Sequence, residues 1–174
     1  MDFLCERVVE ILEATLPKIL TSINAYKSDE DVAKFGVALT LKTPTFYSGS
    51  EANIESTPAV NVYIDDLEAV NQSDCSAGID SVMLICAIHV DADSTAILKE
   101  LINRYIVAIR YLLRGNRYLS KIDRSDPLAQ SISISFLPPQ KFEVKNLKEL
   151  RYVGIIGIEC SLLTTQTEKK YGII

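Results

Sequence analysis

Near the start of the chain, apolar residues recur at three- and four-residue steps: Leu4, Val8, Ile11, Leu12, Leu16, Ile19, Leu20 and Ile23. That spacing places them on one stripe of an amphipathic helix. Pro17 falls inside the stripe, where it removes a backbone donor and crowds the preceding turn, so a kink or a break into two short helices is expected. Phe35, Val37, Leu39 and Leu41 then alternate with small or polar residues, the period of a half-buried strand. Thr43 to Pro58, rich in Ser, Thr, Pro and Asn, reads as a loop.

Val60, Val62 and Ile64 alternate with Asn61, Tyr63 and Asp65, which predicts a second strand. The polar stretch from Leu67 to Gly78 reads as a long hairpin connection or mobile flap. Ser81 to Val90 is apolar at nearly every position, as in a strand covered on both faces and central to its sheet. Asp91-Ala92-Asp93-Ser94 offers helix-start residues, and Leu98, Leu101, Ile102, Tyr105, Ile109, Leu112 and Leu113 share one side of the helix that follows. Arg114-Gly115 closes it with a basic last turn and a glycine suited to a left-handed cap.

Ile132, Ile134 and Phe136 alternate with serines in a strand expected to stop at Pro138-Pro139. The last strand, Tyr152 to Thr164, carries Gly154 and Gly157, where a bulge or close packing against a helix is expected. The order helix, strand, strand, strand, helix, strand, strand predicts an α+β fold. It is a two-layer domain with one mixed or antiparallel sheet and two long helices packed on one face. One domain spans residues 1–174, with 166–174 as an extended C-terminal tail.

Composition supports one globular core: 174 residues, 48% hydrophobic and 24% charged. Cys5, Cys75, Cys86 and Cys160 are scattered without a C-x-x-C pair and read as reduced core residues. Met1-Asp2-Phe3-Leu4 lacks a basic signal-peptide n-region, and no apolar run reaches membrane-spanning length, so a soluble, cytoplasmic protein with no membrane partner is expected.

Charge changes the picture more. From Thr43 to Leu98 there are nine acidic residues and no Lys or Arg; from Lys99 to Arg124 there are seven basic residues against Glu100 and Asp123. Opposite charge in two consecutive blocks gives copies of a domain two mutually attractive surfaces, which suits head-to-tail association. A net charge of -5 argues against a general nucleic-acid binder, while the basic block keeps that option open.

Catalytic chemistry lacks its defining residues. His89 is the only histidine, and no G-x-S-x-G, G-x-G-x-x-G or P-loop lysine occurs. No catalytic, cofactor-binding or metal-binding residue is therefore assigned, and no cofactor is expected. Asp65, Asp66 and Asp80 converge if the second and central strands form a hairpin, as hard-cation ligands would, but a solvated strand end with turn formers is the favoured reading. On the second helix Arg104, Val107, Arg110, Tyr111 and Arg114 face outward in this reading, and arginine beside aromatic residues is an interface composition. That face is the expected subunit contact, meeting acidic Asp65, Asp66 and Glu68 of a neighbouring copy. Tyr171, Ile173 and Ile174 form an apolar tip expected to dock on a partner.

The opening helix, the strand Pro58 to Asp65, the long apolar strand running into the helix Leu98 to Arg114, and the closing strand Val153 to Leu162 resemble the tail-terminator, or tail-completion, proteins of long-tailed bacteriophages. The likeness is one of layout and strand texture over Met1 to Thr165. It implies a non-enzymatic virion protein, made in the host cytoplasm, that forms a homo-oligomeric ring, with a hexamer expected. Such a ring stops polymerisation at the head-proximal end of the tail tube. Its partners would be the tube, a sheath protein and the neck or connector, with DNA only passing through the lumen. A head-completion or connector ring protein is the first alternative. A ligand-binding or enzymatic α+β domain using His89 with Asp65, Asp66 and Asp80 is the second.

Overall fold

The computed structural model describes residues 2–49, 54–65, 79–121, 123–142 and 150–163. Two helices, α1 (Asp2–Phe35) and α2 (Thr95–Gly115), lie on one side of a five-stranded sheet. Its strands are β1 (Thr45–Ser48), β2 (Ala59–Ile64), β3 (Ile79–Ala92), β4 (Ser131–Phe142) and β5 (Leu150–Leu163), in spatial order β1-β2-β3-β5-β4. β1 runs parallel to β2 and every other pairing is antiparallel, so the sheet is mixed and β3 sits at its centre. This is the α+β architecture that the element order implies.

The sheet's two faces follow the period of two. Val60 and Val62 on β2, Val82, Leu84, Cys86, Ile88 and Val90 on β3, and Ile156, Ile158, Cys160 and Leu162 on β5 point toward the helices and build one core with them. On the opposite face Ile85, Ala87, Val153 and Ile155 form a second, smaller buried cluster. β3 is therefore buried on both sides, which accounts for its unbroken apolar run. Gly154 lets the sheet approach α2: a Cβ there would come within 2.8 Å of Ile102 Cγ2. The close packing expected at this glycine is present.

Several sequence expectations give way to the structure. α1 is one continuous helix through Pro17 and does not break into two short ones there. The proline cost of about 3 kcal/mol is offset because Leu4, Val8, Leu12, Leu16 and Leu20 are all buried in the core on both sides of it. The segment after α1 is not a strand: the helix runs to Phe35, Gly36 leaves it at φ +76°, and the first strand begins only at Thr45. Leu39 and Leu41 are buried all the same, on a strap whose backbone is satisfied by side chains. Leu39 N–H donates to Asp31 Oδ2 at 3.2 Å, and Asn24 exchanges two hydrogen bonds with Leu41 at 2.8 and 3.0 Å. Alternation thus marks a half-buried segment here that pairs with no strand among the described residues.

At the end of α2, Gly115 remains helical and Asn116 is the cap, at φ -128°, so no left-handed glycine closes the helix. Asn116 instead holds the following turn, accepting from Ser120 N–H and donating to Ser120 O at 2.9 and 2.8 Å. At its start, Asp91 belongs to β3 and accepts from Thr57 Oγ1 at 2.9 Å, leaving Ser94 as the N-cap. Finally, β4 continues past Pro138-Pro139 to Phe142, with a register shift between Leu137 and Gln140. β4 is an edge strand, and an edge or a register irregularity tolerates missing N–H groups.

Candidate functional site

The expected contact face on α2 divides in two. Arg104 is not on it: the helix turns this residue inward, 7% exposed, where its guanidinium donates to both carboxylate oxygens of Asp31 at 2.8 and 2.5 Å and to Glu100 at 3.0 Å. The Arg104 bonds hold the Asp31 carboxyl below the usual carboxylate range, against the opposing effect of burial. Arg104 fastens α2 to α1 and is a structural ion pair rather than an interface group. The helix-face assignment failed because Asp31 lies beyond the apolar stripe of α1, where periodicity carries no sign that an acid is buried.

Val107 and Tyr111 do face solvent, at 60% and 70% exposure. They border two adjoining depressions. One is an apolar groove of about 640 Å³ between the helices, with Ile19, Ile23, Tyr26 and Ala108 among its walls. The other is a cleft of about 970 Å³ at the C-terminal end of α2, which Arg110 and Arg114 share with Arg117, Tyr118, Lys121 and Arg124. Six large hydrophobic side chains are exposed among the described residues, and Tyr26, Val107, Tyr111 and Tyr118 of these border the two depressions. Such clustering distinguishes an interaction surface from scattered apolar exposure.

The loop carrying Arg117, Tyr118, Lys121 and Arg124 is fixed from below. Arg7 of α1, 6% exposed, donates to Leu119 O at 3.1 Å and to Asp126 O and Oδ2 at 3.0 Å each. Leu119, Arg124 and Asp126 hold left-handed φ values of +46°, +64° and +48°, and Leu119 is fully buried. Three non-glycine residues in that region form a strained loop that its surroundings must over-determine. Arg7 falls on the apolar side of α1, and its burial could have been suspected from that placement alone.

The other candidate residues are dispersed. Asp65 follows β2, with its N–H on Met83 O at 3.0 Å, while Asp66, Glu68, Tyr171, Ile173 and Ile174 lie outside the described residues. His89 sits on β3 opposite Ala59 and Val153. It is six residues along β3 from Met83, or about 20 Å at strand rise. The structure therefore does not bring His89 and Asp65 into one site. On the outer sheet face Glu159 accepts from Ser81 and Ser133 at 3.1 Å each, a cross-strand arrangement unsuspected from sequence because it depends on register. Among the described residues no cluster of three or more His, Cys, Asp or Glu is placed to hold a metal ion, and no helix is long and apolar enough to cross a membrane. No protein-family model matches this chain, and no curated protein matches it in sequence.

Proposed function

We propose that this protein is a structural virion component, the subunit of a ring at the head-proximal end of a phage tail, where it halts tube polymerisation and joins the tail to the neck. Copies meet through the helix layer, with Val107 and Tyr111 of one subunit central to the contact. The observation that carries this reading is the grouping of Tyr26, Val107 and Tyr111 around one apolar groove, flanked by Arg110. Aromatic and arginine residues around an apolar centre compose the energetically dominant part of many protein interfaces.

The test is Val107→Asp combined with Tyr111→Ser. Both side chains are mostly exposed, so the monomer's thermal melting should be unchanged. Light scattering and negative-stain microscopy with tail tubes should show loss of rings and overlong, uncapped tubes. A wild-type chain that never forms rings on tubes, or a double variant that caps them as well as wild type, would overturn the assignment.

A further inference from the structure

We propose that the cleft at the C-terminal end of α2 binds single-stranded nucleic acid, with Arg114, Arg117 and Arg124 on the phosphates and Tyr118 stacking on a base. The proposal rests on the part of the cleft lined by Arg114, Arg117, Tyr118 and Arg124, residues that the ring contact proposed above does not use.

Arg110, Arg114, Arg117, Lys121 and Arg124 line this depression, and no Asp or Glu among the described residues does. Among the described residues Arg114, Arg117 and Arg124 make no ion pair, whereas buried Arg7 and Arg104 are both paired. Of the acids in the same loop, Asp126 is engaged by Arg7 and Lys121, and Asp123 accepts two bonds from Ser125. The cleft thus gathers three arginines, Arg114, Arg117 and Arg124, that have no ion-pair partner among the described residues. The acidic block responsible for the net charge of -5 contributes no described residue to its lining. At a screening length of about 8 Å in physiological salt, local charge decides what binds.

The chemistry of the wall selects the ligand. Four of the five cations are arginines, whose planar forks fit phosphate oxygens better than lysine ammoniums do. Tyr118, 52% exposed, lines the cleft beside them. Aromatic faces next to a cationic track are the elements of sequence-tolerant single-strand binding, whereas a paired duplex keeps its bases stacked and hidden. The Arg7 clamp holds the loop in place before a ligand arrives, which lowers the ordering cost of binding.

Fluorescence anisotropy of a labelled oligothymidine of about twelve nucleotides, titrated with the full chain, tests this. Binding should be on the order of 10 μM in dilute salt and weaken with a log–log salt slope of about -2, as three phosphate contacts on a single strand require. Arg117→Glu with Arg124→Glu should weaken it more than about ten-fold with unchanged melting, and Arg114→Gln is the milder variant should the pair disturb folding. Tyr118→Ala should weaken the oligonucleotide at least about five-fold, the low end for a stacked base, yet leave tripolyphosphate binding unaltered. No binding, indifference to the arginine variants, or equal loss of tripolyphosphate with Tyr118→Ala would overturn the proposal. So would tight binding of an acidic peptide of residues 65–80 in place of the oligonucleotide, which would make the cleft a protein contact.

Discussion

Asp31 and Arg104 form a two-pronged ion pair between the C-terminal half of α1 and the middle of α2, with side chains 1% and 7% exposed. Asp31 also accepts the N–H of Leu39, so one carboxylate joins both helices and the strap that follows α1. Removing Asp31 leaves the buried Arg104 with Glu100 as its remaining partner among the described residues, whereas replacing both Asp31 and Arg104 with apolar groups avoids burying an under-compensated charge. Asp31→Ala should destabilise the fold by about 3 kcal/mol in urea denaturation. Asp31→Leu with Arg104→Met should recover most of the loss; a double variant as unstable as the single would show that the pair itself is indispensable.

The same pair sets an acid limit. The folded Asp31 carboxyl lies below its ordinary value of 3.8, chiefly through the Arg104 bonds. The native state therefore binds fewer protons there than the unfolded chain, and stability rises with pH across the interval. This contribution should be complete above the ordinary carboxylate range and fade as pH falls through 3.8 toward the lowered native value. Comparing stability between about pH 6 and about pH 2.5 with Asp31→Asn checks it: the variant should lose this part of the acid slope, and identical slopes would remove Asp31 from the account.

Arg7 offers a separate test, because its bonds to Leu119 and Asp126 connect α1 to a loop remote in sequence. Arg7→Met keeps much of the buried stem but drops every hydrogen bond. Trypsin should then cut at Lys121 or Arg124 much faster than in wild type, well before the domain melts, since a strained loop loses its anchor. Unchanged cleavage would mean that packing of Leu119 and Leu128 holds the loop unaided.

Three thiols should be silent. Burial pushes Cys5 up to about 11 and Cys86 and Cys160 up to about 12, so almost no thiolate exists near neutral pH. Iodoacetamide followed by mass spectrometry should find these three unmodified in the native protein and fully modified after denaturation. Rapid native labelling of Cys86 would contradict its burial at the sheet centre.

Gly154→Ala should cost about 1–3 kcal/mol, the range for overpacking a filled core, because the new methyl meets Ile102 Cγ2. Ile102→Leu removes that γ-methyl, and combined with Gly154→Ala it should restore part of the lost stability, measured by thermal melting. Additive losses would indicate that the clash lies elsewhere.

What was legible in the sequence followed from periodicity. The stripes of α1 and α2, the double-sided burial of β3 and the close approach at Gly154 all come from repeats that physics reads without knowing the partner. Arg104 was misplaced because helical spacing assigns a face, and only tertiary packing reveals that Asp31 waits on the inner side. β1 was missed because its four residues sit in a stretch of turn formers, while the neighbouring strap imitated a strand. The basic cleft was half legible. Arg110 and Arg114 stood out on the helix, but Arg117, Tyr118, Lys121 and Arg124 join them only through a loop that Arg7 folds back, a contact spanning most of the chain.

The two borders of the sheet also constrain how this protein can fail. β1 offers only four residues to an incoming strand, and along β4 the ladder slips where Pro138 and Pro139 carry no amide hydrogen. A misdirected strand from another molecule would find one border short and the other interrupted, and both features oppose templated stacked growth.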